Sequence, residues 1–269
     1  MEEVGSIEEV VSEPSNFGKT KTSLYYDSIR KGIIACGLST FYKYADLLGY
    51  EKWRKPKAKR RDVGLRATRP YGWLHVDVTH VRTEKDGMQY VAFVKDNYSK
   101  AILGFKTISE RPGSGFIRDL FEETFKEHKL FDIADPINIL TDGGSENKGE
   151  FVEWVGRIKA PLVVRKLTAK TDECHFSNNM SESTHSIYKS EYLRGKFSIN
   201  TKRHLRDLET FVSYYNENRF PFEFYGLTPY EVLNGEKPDR GKFKEEIQIA
   251  QKKRIEVNRK FNACPLVCA

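Results

Sequence analysis

The sequence predicts an α/β domain with a mixed sheet, and three observations carry that prediction. Leu74, Val76 and Val78 alternate with His75, Asp77 and Thr79, which is the period of a half-buried strand. Asp86-Gly87 then signals a hairpin, with two further runs rich in Val, Phe, Tyr and Ile at Met88–Val94 and Ala101–Thr107. After these three antiparallel strands, helical and short apolar segments alternate, as in sheets with helices packed on them.

The elements follow in order. Gly113-Ser114-Gly115 opens a helix whose inner side is Phe116, Leu120, Thr124 and Phe125. Ile137–Leu140 is a short apolar strand running into Thr141-Asp142-Gly143-Gly144. A helix over Phe151–Ile158, a strand over Pro161–Val164 and a loop from Leu167 to Ser177 come next. Asn178 is placed to cap a long helix to about Leu193, and a further helix runs from Thr201 to about Asn218.

Upstream, residues 23–36 and 40–49 read as two short helices. In the second, Phe41, Tyr44, Ala45 and Leu48 share one face, Ser39 is its N-cap candidate, and Gly37-Leu38 supplies the turn. The pair has the form of a helix-turn-helix, which is also the form of any α-hairpin. The chain thus divides into an acidic disordered tail (1–18), a helix-turn-helix-like segment (19–50), a basic linker (51–69), a core (70–235) and a basic C-terminal tail (236–269).

Charge follows these divisions. The 269 residues carry 45 Lys+Arg against 38 Asp+Glu, a net +7. Residues 1–17 hold five glutamates and no Lys or Arg, whereas seven of the ten residues Lys52–Arg61 are basic. Pro56 argues against a continuous helix there, leaving a solvated linker or a strand of cations that tracks phosphates. Residues 240–260 carry eight Lys/Arg and three Glu and read as an exposed helix. No apolar run approaches the roughly 18–20 residues of a membrane span, and the glutamate-rich start predicts no secretory signal. Cys36, Cys174, Cys264 and Cys268 are scattered, as expected of reduced thiols in a cytoplasmic protein. Cys264-x-x-x-Cys268 has no histidine nearby, so a four-ligand zinc site is not expected.

Three acids stand out. Asp77 lies inside a strand, where Asp is depleted, and reads as an outer-face residue or as a functional carboxylate. Asp142 follows a strand end, where carboxylates face crevices in α/β sheets; a turn Asp is the other reading. Glu182 begins a helix, where it complements the dipole or serves a site. Lys189 is two turns along the same face.

In their order these segments resemble the catalytic core of retroviral integrases and related bacterial insertion-sequence transposases, the DDE transposase/integrase superfamily. The likeness is carried by Trp73-Leu74-His75-Val76-Asp77-Val78-Thr79, Asp96-Asn97-Tyr98-Ser99-Lys100 and Leu140-Thr141-Asp142-Gly143-Gly144-Ser145-Glu146-Asn147. It continues through Phe176-Ser177-Asn178-Asn179-Met180-Ser181-Glu182, Lys189-Ser190-Glu191-Tyr192-Leu193, Tyr214-Tyr215-Asn216-Glu217-Asn218-Arg219 and Leu227-Thr228-Pro229-Tyr230-Glu231. It covers roughly residues 70–235. Departures are a longer Asp142–Glu182 gap, Lys100 and Ser186 in place of a usual Arg and Lys, and Phe220-Pro221 in place of Pro-His.

The resemblance implies a ribonuclease-H-like mixed sheet and a DNA transposase or integrase-like recombinase. Asp77, Asp142 and Glu182 would be catalytic and hold two Mg²⁺ or Mn²⁺ ions, which need oxygen ligands. Water would first free a 3′-OH at an element end, and that hydroxyl would then attack target DNA. Lys189 would pair with a phosphate and Asn147 orient a water or the backbone. Lys55, Lys57, Lys59, Arg60 and Arg61 would meet double-stranded DNA. A dimer or higher homo-oligomer is implied, with no membrane partner. Two other readings stay open: a domesticated or truncated transposase that only binds DNA, and a nuclease that hydrolyses without strand transfer. The aromatic cluster Phe220, Phe222, Phe224 and Tyr225 reads as a packing anchor for the C-terminal segment or as a base-stacking surface.

Overall fold

A computed structural model describes residues 2–50, 64–172, 174–176, 178–193 and 198–262. The basic run Lys52–Arg61, with Lys55, Lys57, Lys59, Arg60 and Arg61, lies outside the described residues, as do Cys264 and Cys268. Among the described residues no helix is long and apolar enough to cross a membrane. The chain forms two compact units.

The larger unit contains the sheet. Its strands are β1 (Trp73–Thr83), β2 (Gly87–Asp96), β3 (Ile102–Ile108), β4 (Ile137–Thr141) and β5 (Val164–Thr168). Their spatial order is β3-β2-β1-β4-β5. β1, β2 and β3 pair antiparallel, whereas β4 joins β1 and β5 joins β4 in parallel. This mixed α/β sheet has the ribonuclease-H-like arrangement expected from the sequence. The Asp86-Gly87 turn works as anticipated: Gly87 takes φ +75°, which L side chains rarely adopt. The fifth strand begins later than expected, at Val164. Pro161 has no N–H for a ladder, and the register with β4 opens at Ile137–Val164.

Helices cover both faces. The antiparallel register puts Leu74, Val76, Ala92 and Val94 on one face, where α4 (Ser114–Glu127) and α5 (Glu150–Arg157) pack through Phe121, Phe125, Phe151 and Trp154. At Gly104 a Cβ would overlap the Thr124 hydroxyl, so this glycine lets α4 cross β3 closely. The short helix α8 (Pro229–Leu233) adds Tyr230 and Leu233 to the same core. Val91, Phe93 and Ile102 point the other way, against α6 (Asn179–Ile187) and α7 (Thr201–Glu217). β1 is therefore covered on both faces rather than half-buried: His75 is 1% exposed and Thr79 is 7% exposed.

The long helix expected from Asn178 is present to Tyr192, α6 widening over Tyr188–Tyr192 into a π-type turn. There Tyr188 is buried against Phe93, Phe211 and Tyr192. The Asn178 side chain makes no cap hydrogen bond.

The smaller unit is helical. Residues 2–12, expected to be part of a disordered tail, form helix α1 (Glu2–Ser12). Ile7, Val10 and Val11, spaced i, i+3 and i+4, put an apolar stripe on this acidic segment, and Ile7 and Val10 are buried with α2 (Lys21–Arg30) and α3 (Leu38–Leu47). The helical pair is present, but α2 ends at Arg30, and α3 starts from Gly37 rather than from a Ser39 cap. Lys21 pairs with Asp46, and the Tyr25 hydroxyl donates to the Cys36 carbonyl at 3.0 Å.

The basic C-terminal stretch is helical as expected, forming α9 (Lys244–Asn262), and one stripe of it is engaged. Phe243 and Ile247 pack on the α2–α3 core, and Arg254 donates to the Glu3 carboxylate at 2.9 Å. Phe220 joins that core too, so part of the aromatic cluster is a packing anchor, whereas Phe222 is exposed.

Candidate active site

Asp77 sits in the interior of β1, opposite Phe93 of β2 and on the face covered by α6. Its side chain is 20% exposed. The Val78 N–H donates to its Oδ1 at 2.9 Å, and His185 Nδ1 lies 3.4 Å from its Oδ2. Asp142 follows the end of β4, the parallel neighbour of β1. A tight turn holds it: the Gly144 N–H donates to its Oδ1 at 3.0 Å and the Asn147 amide donates to the same oxygen at 2.7 Å. A Cβ at Gly144 would collide with the Glu146 carboxylate, so that glycine makes room for a further acid in the turn. Glu182 lies exposed in the first turn of α6.

These carboxylates act on one another. Burial, followed by the charges of Asp142, Glu182 and Glu146, pushes the Asp77 carboxyl up to about 7, against the Val78 N–H that lowers it. The three sequence-predicted acids thus share one electrostatic neighbourhood. Glu146 is the addition, a residue of the quoted motif to which sequence reasoning assigned no role.

A divalent cation would offset both the desolvation and the neighbouring charges that raise the Asp77 carboxyl, and hard oxygen donors suit Mg²⁺ or Mn²⁺. By donor chemistry the set fits. Their geometry does not gather them: among the described residues no three His, Cys, Asp or Glu side chains come together closely enough to hold a metal ion.

Buried polar groups hold α6 onto β1. His75 Nδ1 is 2.9 Å from Asn178 Oδ1, and His75 Nε2 is 2.8 Å from Asn97 Nδ2. The Asn178 amide donates to the Val76 carbonyl at 2.8 Å, so its oxygen is the acceptor facing His75. His75 is then the neutral Nδ1–H tautomer, donating to Asn178 and accepting from Asn97. Burial agrees, pulling its pKa down to about 4. Asn97 Oδ1 also accepts from the Ala67 N–H at 2.8 Å. This network fixes the helix start that carries Glu182 against the strand that carries Asp77. Beside it Lys95, directly opposite His75, is 2% exposed and donates to the Thr184 hydroxyl at 2.7 Å, with the Tyr215 ring 5.0 Å away.

His185 is a further residue the sequence reading missed. Burial, then the Lys189 charge, pulls it down to about 4, so it meets Asp77 as a neutral ring. Lys189 lies just past α6 on the exposed side. Its ammonium is lowered by partial burial and raised by the Asp77 charge. Asn147, 1% exposed, is bound to Asp142 rather than open to solvent.

No family model matches the chain, and no curated protein matches it. Solved structures do. A chain of the simian T-cell lymphotropic virus intasome in complex with PP2A regulatory subunit B56 gamma superposes with a TM-score of 0.51 at 13% identity, over 82% of this chain and 76% of that one. The HTLV-2 integrase catalytic core domain in complex with magnesium gives 0.46 at 18% identity, over 64% of this chain and 100% of that one. The Mos1 mariner transposase catalytic domain gives 0.43 at 9% identity, over 61% of this chain and 78% of that one. The first is a likeness of fold, in keeping with the sheet order; the other two are looser.

Proposed function

We propose that this chain is a divalent-metal-dependent DNA strand transferase of the integrase and transposase type, acting on element ends and target DNA in a bacterial cytoplasm. The observation that carries the reading is the Asp77 carboxyl, interior to β1 and raised by burial and by the charges of Asp142, Glu182 and Glu146. Asp is depleted in strands, and strongly perturbed carboxyls cluster at functional sites.

On this reading Asp77, Asp142 and Glu182 hold Mg²⁺ or Mn²⁺. When bound, two such ions neutralise the scissile phosphate and stabilise the attacking and leaving oxygens of an in-line displacement. Asn147 orients Asp142 through its amide hydrogen bond. Lys189 offers its ammonium to a DNA phosphate beside the acids. The His75–Asn178 pair ties the start of α6, which carries Glu182, to β1, which carries Asp77. The helical pair and the Lys52–Arg61 run bind the DNA flanking the cut, and two copies of the chain hold two ends together.

The test is cleavage of labelled duplexes, drawn from the sequence flanking the gene, in Mg²⁺ or Mn²⁺. Asp77→Asn, Asp142→Asn and Glu182→Gln should each reduce cleavage to background while DNA binding persists. Near-wild-type cleavage in Mg²⁺ by any one of them would sink the assignment. A pre-cleaved donor end separates joining from hydrolysis: cleavage without joining leaves a nuclease, and binding without either leaves a DNA-binding protein.

A further inference from the structure

The helical unit contains a pocket of about 610 Å³ that the proposed chemistry does not use. Its volume is that of a small-molecule or cofactor site, roughly 300–1,000 Å³. Tyr26, Phe222, Tyr225 and Phe243 supply aromatic walls, Arg240 and Lys244 supply cations, and among the described residues no carboxylate lines it.

The walls are built rather than incidental. Gly226 has φ +96°, and a Cβ there would come within 2.8 Å of the Phe243 ring and 3.0 Å of Tyr26. The absence of a side chain therefore lets these two rings close together, with centroids 6.3 Å apart. Tyr26 is buried, which sets the floor. Phe222 stands 58% exposed, 6.4 Å from the Tyr225 ring. An exposed Phe beside a concave aromatic wall presents a flat apolar face to whatever enters. Arg240 and Lys244 are exposed and make no side-chain hydrogen bond or ion pair among the described residues, so their charge is available to a ligand.

A ligand matching these walls is flat and π-faced at one end and anionic at the other. A peptide supplies that pair only through a particular sequence, whereas every nucleotide of a DNA strand supplies it. A paired base cannot enter a concave site, because its faces are covered by stacking in the duplex. We propose that this pocket binds one unpaired nucleotide of a DNA strand, its base against Phe222 and Tyr225 and its phosphate on Arg240 and Lys244. The occupant rests on the DNA reading above; the site is separate from the acids of the sheet.

The experiment measures equilibrium binding of the full chain to a fluorescent oligothymidylate and to a duplex of equal length. Phe222→Ala should weaken single-strand binding about 5- to 150-fold, the range of one lost base–aromatic stack, and leave duplex binding nearly unchanged. Phe222→Trp should restore it. The Arg240→Ala, Lys244→Ala double variant should make the salt dependence shallower by about 0.7 in slope, one phosphate neutralised on a single strand. Unchanged single-strand binding in both variants overturns the pocket, as does equal weakening of single strand and duplex. An acidic peptide displaced by Phe222→Ala, with oligothymidylate unaffected, also overturns it by assigning a protein partner. If the pocket fails while metal-dependent cleavage persists, only this inference falls; loss of cleavage in the wild-type chain would instead remove the DNA reading.

Discussion

The two faces of the sheet are built from the same strands and differ in almost every other respect. On one face Leu74, Val76, Ala92 and Val94 meet Phe121, Phe125, Phe151 and Trp154, a cluster of apolar side chains. Phe121 stacks on Phe151 at 5.0 Å, and that face needs nothing beyond packing and burial to hold it. On the other face, one residue along, β1 and β2 present His75, Asp77 and Lys95 to α6 beside the apolar Val91 and Phe93, and each of these polar groups must find a hydrogen-bond partner or a cation. Strand alternation turns a shift of one residue into a change of chemistry. The apolar face supplies stability, and the polar face spends some of it to keep an acid half-desolvated.

Three variants can break or sharpen that contrast. The largest stability effect should come from the apolar face. Phe121→Ala removes a ring buried at the centre of the core and should cost about 3–5 kcal/mol in chemical denaturation. A cost under 1 kcal/mol would mean that this face does not carry the fold.

The second effect has the opposite sign. With its pKa raised to about 7 in the folded protein against an unfolded value near 3.8, Asp77 binds its proton more tightly when folded. Its penalty is therefore absent below the unfolded pKa, grows as pH rises through the window from about 4 to 7, and is complete above it. Asp77→Asn should raise the melting temperature of the metal-free protein at pH 8, by about 2–4 °C for each kcal/mol recovered. That gain should shrink as pH falls from 7 towards 4. Mg²⁺ should raise the melting temperature of the wild type and not of the variant. A variant less stable than wild type at pH 8 would contradict a strained Asp77.

The smallest effect tests the tie between β1 and α6. Asn178→Ala deletes the acceptor for His75 and the donor to the Val76 carbonyl, and should cost about 1–3 kcal/mol. Because the tie orients Glu182, cleavage should fall further than DNA binding. An unchanged cleavage rate in a destabilised protein would leave Asn178 a purely structural group.

Much of this was legible in the sequence where the signal was local. The β1 alternation separated the two faces, Asp86-Gly87 marked its hairpin, and the inner side assigned to α4 is buried at Phe116, Leu120, Thr124 and Phe125. The order of motifs pointed to Asp77, Asp142 and Glu182. The departures share a cause. Asn178 looked like a cap because Asn caps helices, but its partners lie more than 100 residues away on β1. His185 and Lys95 carry no sequence mark of burial, since only the crossing of α6 over β1 and β2 removes them from water. The acidic start looked like a solvated tail because its charges outnumber its short apolar stripe. That stripe becomes decisive only beside α2 and α3.

The sequence by itself therefore determined the strands and helices, the mixed α/β class and the order of the acids, because backbone period and turn chemistry act over a few residues. Tertiary structure decided which face of β1 is polar and yet buried, which amide locks His75, that Glu146 joins the acids, and that aromatic residues from α2, the 219–228 segment and Phe243 just before α9 line one pocket. Those features depend on which distant segments are brought into contact, and desolvation and hydrogen bonding act only once they are.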